Sequence, residues 1–383
     1  MKVFAITTRH LLTLSIASIA FAASGRPLAP DGLLVNGVSN PLAIDRDQTR
    51  FTWKLEDTAR GEKQTAYQIL VFSGIRPPSS DLSAWWDSGK VDSDKSASVE
   101  YAGKPLSPTT RFWWKVRIWD QTGKAGKYSA PAYFDTGLNQ NDWTAHYIWD
   151  GTTNLNNFAY FRKSFAVSAK PKLAKVYVTA HNDYLLYLNG ELLGRGPARC
   201  NPYLYGQYNA YDITKLLKQG TNVFAATGHW QGNWGNAGIN ARPAFMLEAR
   251  LNYPGNSSST IGTDESWTVL AQTPFIETHP YFYGSRAAIQ FDSRGEPPNW
   301  KKTGFNDASW APASVVDCSN YHLFAQMAPM EREQAALKPV SITEKNGAWL
   351  VDFGRCIDGW PKLTMHENHS GDKVRVAYFQ MAG

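Results

Sequence analysis

Cysteine is nearly missing from this 383-residue sequence, occurring only at positions 200, 318 and 356. With no CxxC pair and no His/Cys spacing, a zinc site has nothing to stand on. An odd count leaves two arrangements open: one disulfide with one free thiol, or three free thiols. Charge is also scarce, at 19% of residues, and no Lys/Arg cluster occurs. The formal net charge of +6 falls to a mild +4 once Lys2 and Arg9 of the leader are set aside, so a nucleic-acid partner is not expected. Beyond the first residues no segment is long and apolar enough to cross a bilayer, so a membrane partner is not expected either. No long stretch shows helical periodicity. No GxGxxG or Walker spacing is present, which removes a phosphate-binding βαβ unit.

What is present is hydrophobic and aromatic. Hydrophobic residues make up 43% of the chain, aromatics 13%, and there are 15 tryptophans. Such a composition belongs to a globular protein, and so many tryptophans point either to β-sandwich cores or to carbohydrate-stacking surfaces. At the N-terminus, Lys2 and Arg9 precede the apolar run "LLTLSIASIAFAA", which ends in small residues around Ala20-Phe21-Ala22. This reads as a signal peptide over 1–23, cut after Ala22 or Ala23, and it predicts a secreted, extracellular protein. The sequons at Asn256 and Asn368 agree with a secretory route as glycosylation sites.

The expected fold class is all-β, a row of β-sandwiches. Residues 32–137 carry short alternating strands, among them "RFTWKL", "AYQILVFS" and "RFWWKVRIWD", separated by turn segments. About 100 residues of this kind read as a sandwich of fibronectin type III character. In "RFWWKVRIWD", Phe112, Trp114, Val116 and Ile118 share the apolar face, while Trp113, Lys115, Arg117 and Trp119 share the other. Trp119-Asp120 is expected to begin the turn. "NQNDWTAHYIWDG" reads as a linker into a second, jelly-roll sandwich over 145–337. There, Asn189-Gly190 is a two-residue hairpin turn, because both positions take positive φ readily. One helical turn is expected at "DITKLLKQG", capped by Asp212 and ended by Gly220. Residues 338–383 look like the truncated start of a third sandwich, since so short a piece holds only a marginal core.

Four segments then carry a family resemblance: "YLNGELLGRGP", "QYNAYDITKLLKQGTNVFAATGHWQGNWG", "FDSRGEPPNWKKTGFNDASWAPA" and "LVDFGRCIDGWPKLTMHENHSGDKVRVAYF". In order and spacing they resemble the N-terminal half of secreted α-L-rhamnosidases of glycoside hydrolase family 78. The resemblance implies a fibronectin-like domain, then a galactose-binding-like domain, then the entry to a further sandwich. It implies rhamnose-containing glycosides or polysaccharides as partners. The family's catalytic carboxylates lie in an (α/α)6 barrel further downstream, so no catalytic residue is assigned. The alternative is a stand-alone secreted carbohydrate-binding protein. Asp352 and Asp358, close in sequence but set among strands and glycine, read as turn residues, since a glycosidase needs two carboxylates flanking a sugar at a defined separation.

No cofactor is required on this reading, although some domains of this type hold calcium between protein oxygens and sugar hydroxyls. The resemblance places Asn182 and Asp183 where calcium-binding relatives carry an adjacent Asp/Asn pair, here in reversed order. In the loop "TGHWQGNWGNAG", Asn233 would add oxygen ligands to sugar or metal, and Trp230 and Trp234 would stack on a pyranose. Against these stand turn formation for Asn182 and Asp183, core packing for Trp230, and a structural role for His229.

Overall fold

The computed structural model describes residues 27–56, 61–198, 205–232, 242–276, 289–318, 321–331, 335–357, 359–366, 369 and 372–377. Helix among these residues is confined to three-residue 3₁₀ turns, and the rest of the regular structure is β. The chain divides into two units, one ending at Glu331 and one beginning at Arg332.

The first sandwich holds β1 (Asp31–Val35), β2 (Arg50–Lys54), β3 (Gln64–Ser73), β4 (Trp86–Asp87), β5 (Val91–Asp92), β6 (Val99–Glu100), β7 (Arg111–Asp120) and β8 (Ala132–Asp135). Sheet β1-β2-β6 faces sheet β4-β3-β7-β8, with β5 also paired to β3. Phe51 and Trp53 of β2 pack between them against Ile69, Val71, Phe112, Trp114 and Val116. Strand β7 alternates as its sequence predicts: Phe112, Trp114, Val116 and Ile118 are buried, and the residues between them are half-buried. On that other face the cations cover the rings. Arg117 lies 4.9 Å from the ring centres of both Trp119 and Tyr128, and Lys115 lies 4.6 Å from Tyr128. Leu70 and Phe72 are both buried, with Lys115 Nζ 5.7 Å from the Phe72 ring centre.

The second sandwich begins inside the expected linker, with β9 (Tyr147–Trp149) and β10 (Asn157–Val167). It continues with β11 (Leu173–Ala180), β12 (Asp183–Leu188), β13 (Glu191–Gly196), β14 (Tyr205–Asp212), β15 (Gly220–Trp230), β16 (Phe245–Asn252), β17 (Ser258–Gly262) and β18 (Thr268–Leu270). The short strands β19 (Phe275–Ile276), β20 (Gln290–Phe291), β21 (Ala311–Pro312), β22 (Ser314–Val316) and β23 (His322–Ala325) complete it. One sheet runs β13-β12-β15-β10-β18-β21, and the other runs β22-β9-β16-β11-β14-β23 with β17 on β16. Phe161, Leu186, Phe224 and Ala226 of the first meet Val176, Val178, Leu247 and Ala249 of the second in one core. The Asn189-Gly190 turn is as read, with φ of 54° and 92°. Residues 212–220 are not helical beyond a single turn. Asp212 Oδ1 accepts from Thr214 N–H at 3.0 Å, the Ile213 carbonyl accepts from Leu216 and Leu217, and Gly220 opens β15 at φ 92°. The Asp212 side chain thus caps the single turn that the sequence leads one to expect.

The two sandwiches meet over a buried, charged joint. Arg111 of β7 grips Asp135 of β8 through two 2.8 Å hydrogen bonds, and Lys175 Nζ of β11 stands 3.3 Å from the same carboxylate. That last pair is an ion pair without a hydrogen bond. Asp135 is fully buried and Lys175 nearly so. Burial lowers the Lys175 pKa, and the Asp135 charge partly restores it. Around this centre, Leu138 N–H donates to Tyr208 Oη at 2.9 Å, Ala325 N–H to Asp45 at 3.1 Å, and Arg46 pairs with Asp142 at 2.7 Å. A Cβ at Gly137 would fall 2.0 Å from the buried Tyr208 hydroxyl, so glycine lets the segment after β8 pass this close to the ring.

Among its described residues the second unit holds one hairpin, β24 (Ser341–Lys345) and β25 (Ala348–Asp352), with Ile342, Trp349 and Val351 exposed.

Candidate functional site

The residues expected to meet sugar or calcium gather at one end of the six-stranded sheet, where β12 begins and β15 ends. Asp183 pairs with His229, and Phe158 of β10 pairs with the same histidine on its other side. Asn182 Oδ1 accepts from Gln231 N–H at 2.8 Å, which ties the start of β12 to the end of β15. His229 sits between two oxygens: its Nδ1 is 3.6 Å from Asp183 Oδ2 and its Nε2 is 2.9 Å from Asn156 Oδ1. The imidazole stacks on Phe158 at 4.0 Å, and Phe158 stacks on Phe275 at 4.1 Å. This buried ring, stacked on Phe158 and bonded to Asn156, is a structural histidine.

Trp230 is 3% exposed and belongs to the core between the sheets, so it presents no ring face to solvent. Asn233 and Trp234 lie outside the described residues, as do Asn368 and Asp358. The side chain of Asn256 is likewise not described; its backbone sits in the 3₁₀ turn Pro254–Asn256. Asp352 accepts from Gly354 N–H at 2.7 Å, the turn role expected of it.

Calcium calls for six to eight oxygen ligands. The described residues bring together one amide oxygen that already accepts a backbone N–H and one carboxylate that faces an imidazole. Among the described residues no group of three or more His, Cys, Asp or Glu side chains could hold a metal ion. These residues do not fit calcium.

Half of the fourteen described tryptophans are core residues: Trp53, Trp114, Trp149, Trp230, Trp267, Trp300 and Trp310 are all buried. Two polar centres escaped sequence reading. In the first, Glu296 accepts from Tyr160 Oη at 2.5 Å and from Trp300 Nε1 at 2.7 Å, fastening the 293–310 segment over the outer face of the six-stranded sheet. The Glu-Pro-Pro-Asn-Trp spacing, a turn that returns tryptophan toward glutamate, was its signal. In the second, buried Arg162 donates to Asp307 at 2.7 Å and to the Trp300 and Lys302 carbonyls at 3.0 Å.

His181 brings a pH dependence. Its Nδ1 faces the Arg242 carbonyl at 2.5 Å and so carries the proton, while Nε2 has no hydrogen-bond partner among the described residues. Burial lowers its pKa from 6.5 to about 4, so the unfolded chain takes up this proton first as pH falls. Stability is therefore lost between pH 6.5 and about 4, by up to about 3 kcal/mol from this group. Urea midpoints measured on either side of this window should differ, and less so in His181→Phe.

Cys318 and Cys356 are free, and burial pushes the Cys318 thiol up to about 12. Cys200 lies outside the described residues.

Comparison with known proteins decides the family. Residues 30–140 match the Rha78A-like, N-terminal immunoglobulin domain, and residues 169–334 match the alpha-L-rhamnosidase N-terminal domain. The chain is an N-terminal region of the α-L-rhamnosidase family. This rhamnosidase region is 30% identical to an alpha-L-rhamnosidase of Formosa agariphila, over 90% of the chain and 40% of that protein. It is 27% identical to one of Alteromonas sp., over 86% of the chain and 38% of that protein. The chain thus spans about two-fifths of the length of the curated relatives it matches. Among solved structures it superposes on an alpha-L-rhamnosidase from Dictyoglumus thermophilum with a TM-score of 0.75 at 28% identity, covering 86% of this chain and 39% of that one. The Aspergillus terreus enzyme shares the fold, with a TM-score of 0.71 at 23% identity, over 85% of this chain and 38% of that one. In this rhamnosidase region no α-helix occurs among the described residues, so no (α/α)6 barrel is built from them.

Proposed function

We propose that this region belongs to an exported α-L-rhamnosidase acting on terminal α-L-rhamnose of glycosides or glycans, and that its own part is non-catalytic. The observation that carries the reading is the buried joint of Arg111, Asp135 and Lys175, which makes one block of two sandwiches. A block of this kind suits a support for chemistry done elsewhere in a longer polypeptide. The described acidic side chains agree: Asp135, Glu248, Glu296 and Asp307 each answer a cation or a buried donor, and none stands paired across an open cleft. Export is supported by the apolar leader ending at Ala22 and Ala23. Expressed with its leader, the chain should be recovered outside the cytoplasm with an N-terminus after Ala22 or Ala23, and it should not turn over an aryl α-L-rhamnoside. Robust release of the aglycone would overturn the non-catalytic reading, and an intact Met1 terminus would overturn export.

A further inference from the structure

The sequence contains three Asn-Gly pairs, at Asn36-Gly37, Asn189-Gly190 and Asn346-Gly347, and all three form tight turns with both residues at positive φ. In Asn-Gly the unhindered glycine nitrogen can attack the asparagine side-chain carbonyl carbon. The new C–N bond closes a succinimide as the Cγ–NH₂ bond breaks and ammonia leaves. Water then opens the ring at either carbonyl, giving aspartate or isoaspartate. The following residue chiefly sets the intrinsic rate, and it is glycine at all three sites, so differences among them come from the fold.

The fold treats them unequally. Asn189 is held at both ends of its amide: Oδ1 accepts from Val223 N–H at 2.9 Å, and Nδ2 donates to Asn222 Oδ1 at 2.9 Å. Asn36 Oδ1 accepts from Arg50 N–H at 2.8 Å. Either bond must break before Cγ can swing onto the glycine nitrogen. The Asn346 side chain is exposed and makes no hydrogen bond among the described residues. Its turn joins only β24 and β25, a two-stranded hairpin with every residue of β24 exposed. A two-stranded hairpin with one strand exposed throughout is marginal in water and opens readily, which gives Gly347 the freedom the attack requires.

We infer that Asn346 is the site of spontaneous deamidation in this chain, with water as the only co-reactant, while Asn36 and Asn189 are protected by their hydrogen bonds. The product has consequences for the hairpin. Aspartate adds a negative charge beside Lys345. Isoaspartate lengthens the backbone by one atom and breaks the Lys345–Ala348 register.

The test is peptide mapping of the purified full chain after storage in warm, mildly alkaline buffer, with a parallel sample in concentrated urea. Mass spectrometry reads the gain of one mass unit, and chromatography separates the two isomers. In the folded sample the Asn346 peptide should convert about tenfold faster than those of Asn36 and Asn189, the factor expected when one or two hydrogen bonds must break. In urea the three rates should converge. Equal rates in the folded sample, or the same ratio with and without urea, would overturn the inference.

Discussion

Asp135→Ala should lower the unfolding free energy by about 3–5 kcal/mol, the range for removing one partner of a buried ion pair. The reason is what it leaves behind. Lys175 would remain buried with only the longer-range pull of Asp212, and Arg111 would lose both of its 2.8 Å bonds, keeping Asp212 at 3.5 Å and the Tyr133 ring. Lys175→Met gives the opposite contrast. It removes a charge whose burial already disfavours ionisation, leaves the Arg111–Asp135 bidentate pair whole, and fills much the same volume. Its effect should be near zero or mildly stabilising. Urea titration of both variants reads the difference. A small loss in Asp135→Ala, or a loss in Lys175→Met as large, would mean the joint is not built around this carboxylate.

Trp230→Ala should cost about 3–5 kcal/mol, the usual range for emptying a buried aromatic site. Trp230 ends β15 opposite Asn157 and packs into the core shared by the two sheets of the second sandwich. The cavity would open beside the edge that Asn182 ties to Gln231. A tryptophan serving as a sugar platform behaves otherwise, since truncating an exposed ring leaves stability within about 0.5 kcal/mol. Urea unfolding therefore separates packing from stacking without any ligand, and a change under about 1 kcal/mol would contradict the packing role.

How far the sequence carried this structure depended on whether a feature is local. The alternation of "RFWWKVRIWD" placed Trp114 in the core, and Asn189-Gly190 placed a hairpin turn, because both signals lie within a few residues. The single turn at 212–220 was legible for the same reason, since Asp212 and Gly220 lie at its two ends and one bond from Thr214 closes it. The joint was illegible because Arg111, Asp135 and Lys175 are far apart in sequence. A lone lysine inside "LAKVYVTA", buried throughout, was its only trace. The parallel pairing of β14 with β23 was equally hidden, as the partners are separated by most of the second sandwich. At the candidate site the residue types were legible but their engagement was not. Asn182, Asp183 and His229 do converge, yet their polar atoms answer one another and a backbone N–H.

The central claim is that this region supports an α-L-rhamnosidase without doing its chemistry. It is tested most directly by assaying the purified chain and the complete Formosa agariphila alpha-L-rhamnosidase, at equal molar concentration, on the same aryl α-L-rhamnoside. The complete relative should release aglycone steadily, and this chain should release none above buffer. Steady release by this chain, abolished by Asp352→Ala, would contradict the claim and place a hydrolytic site within it.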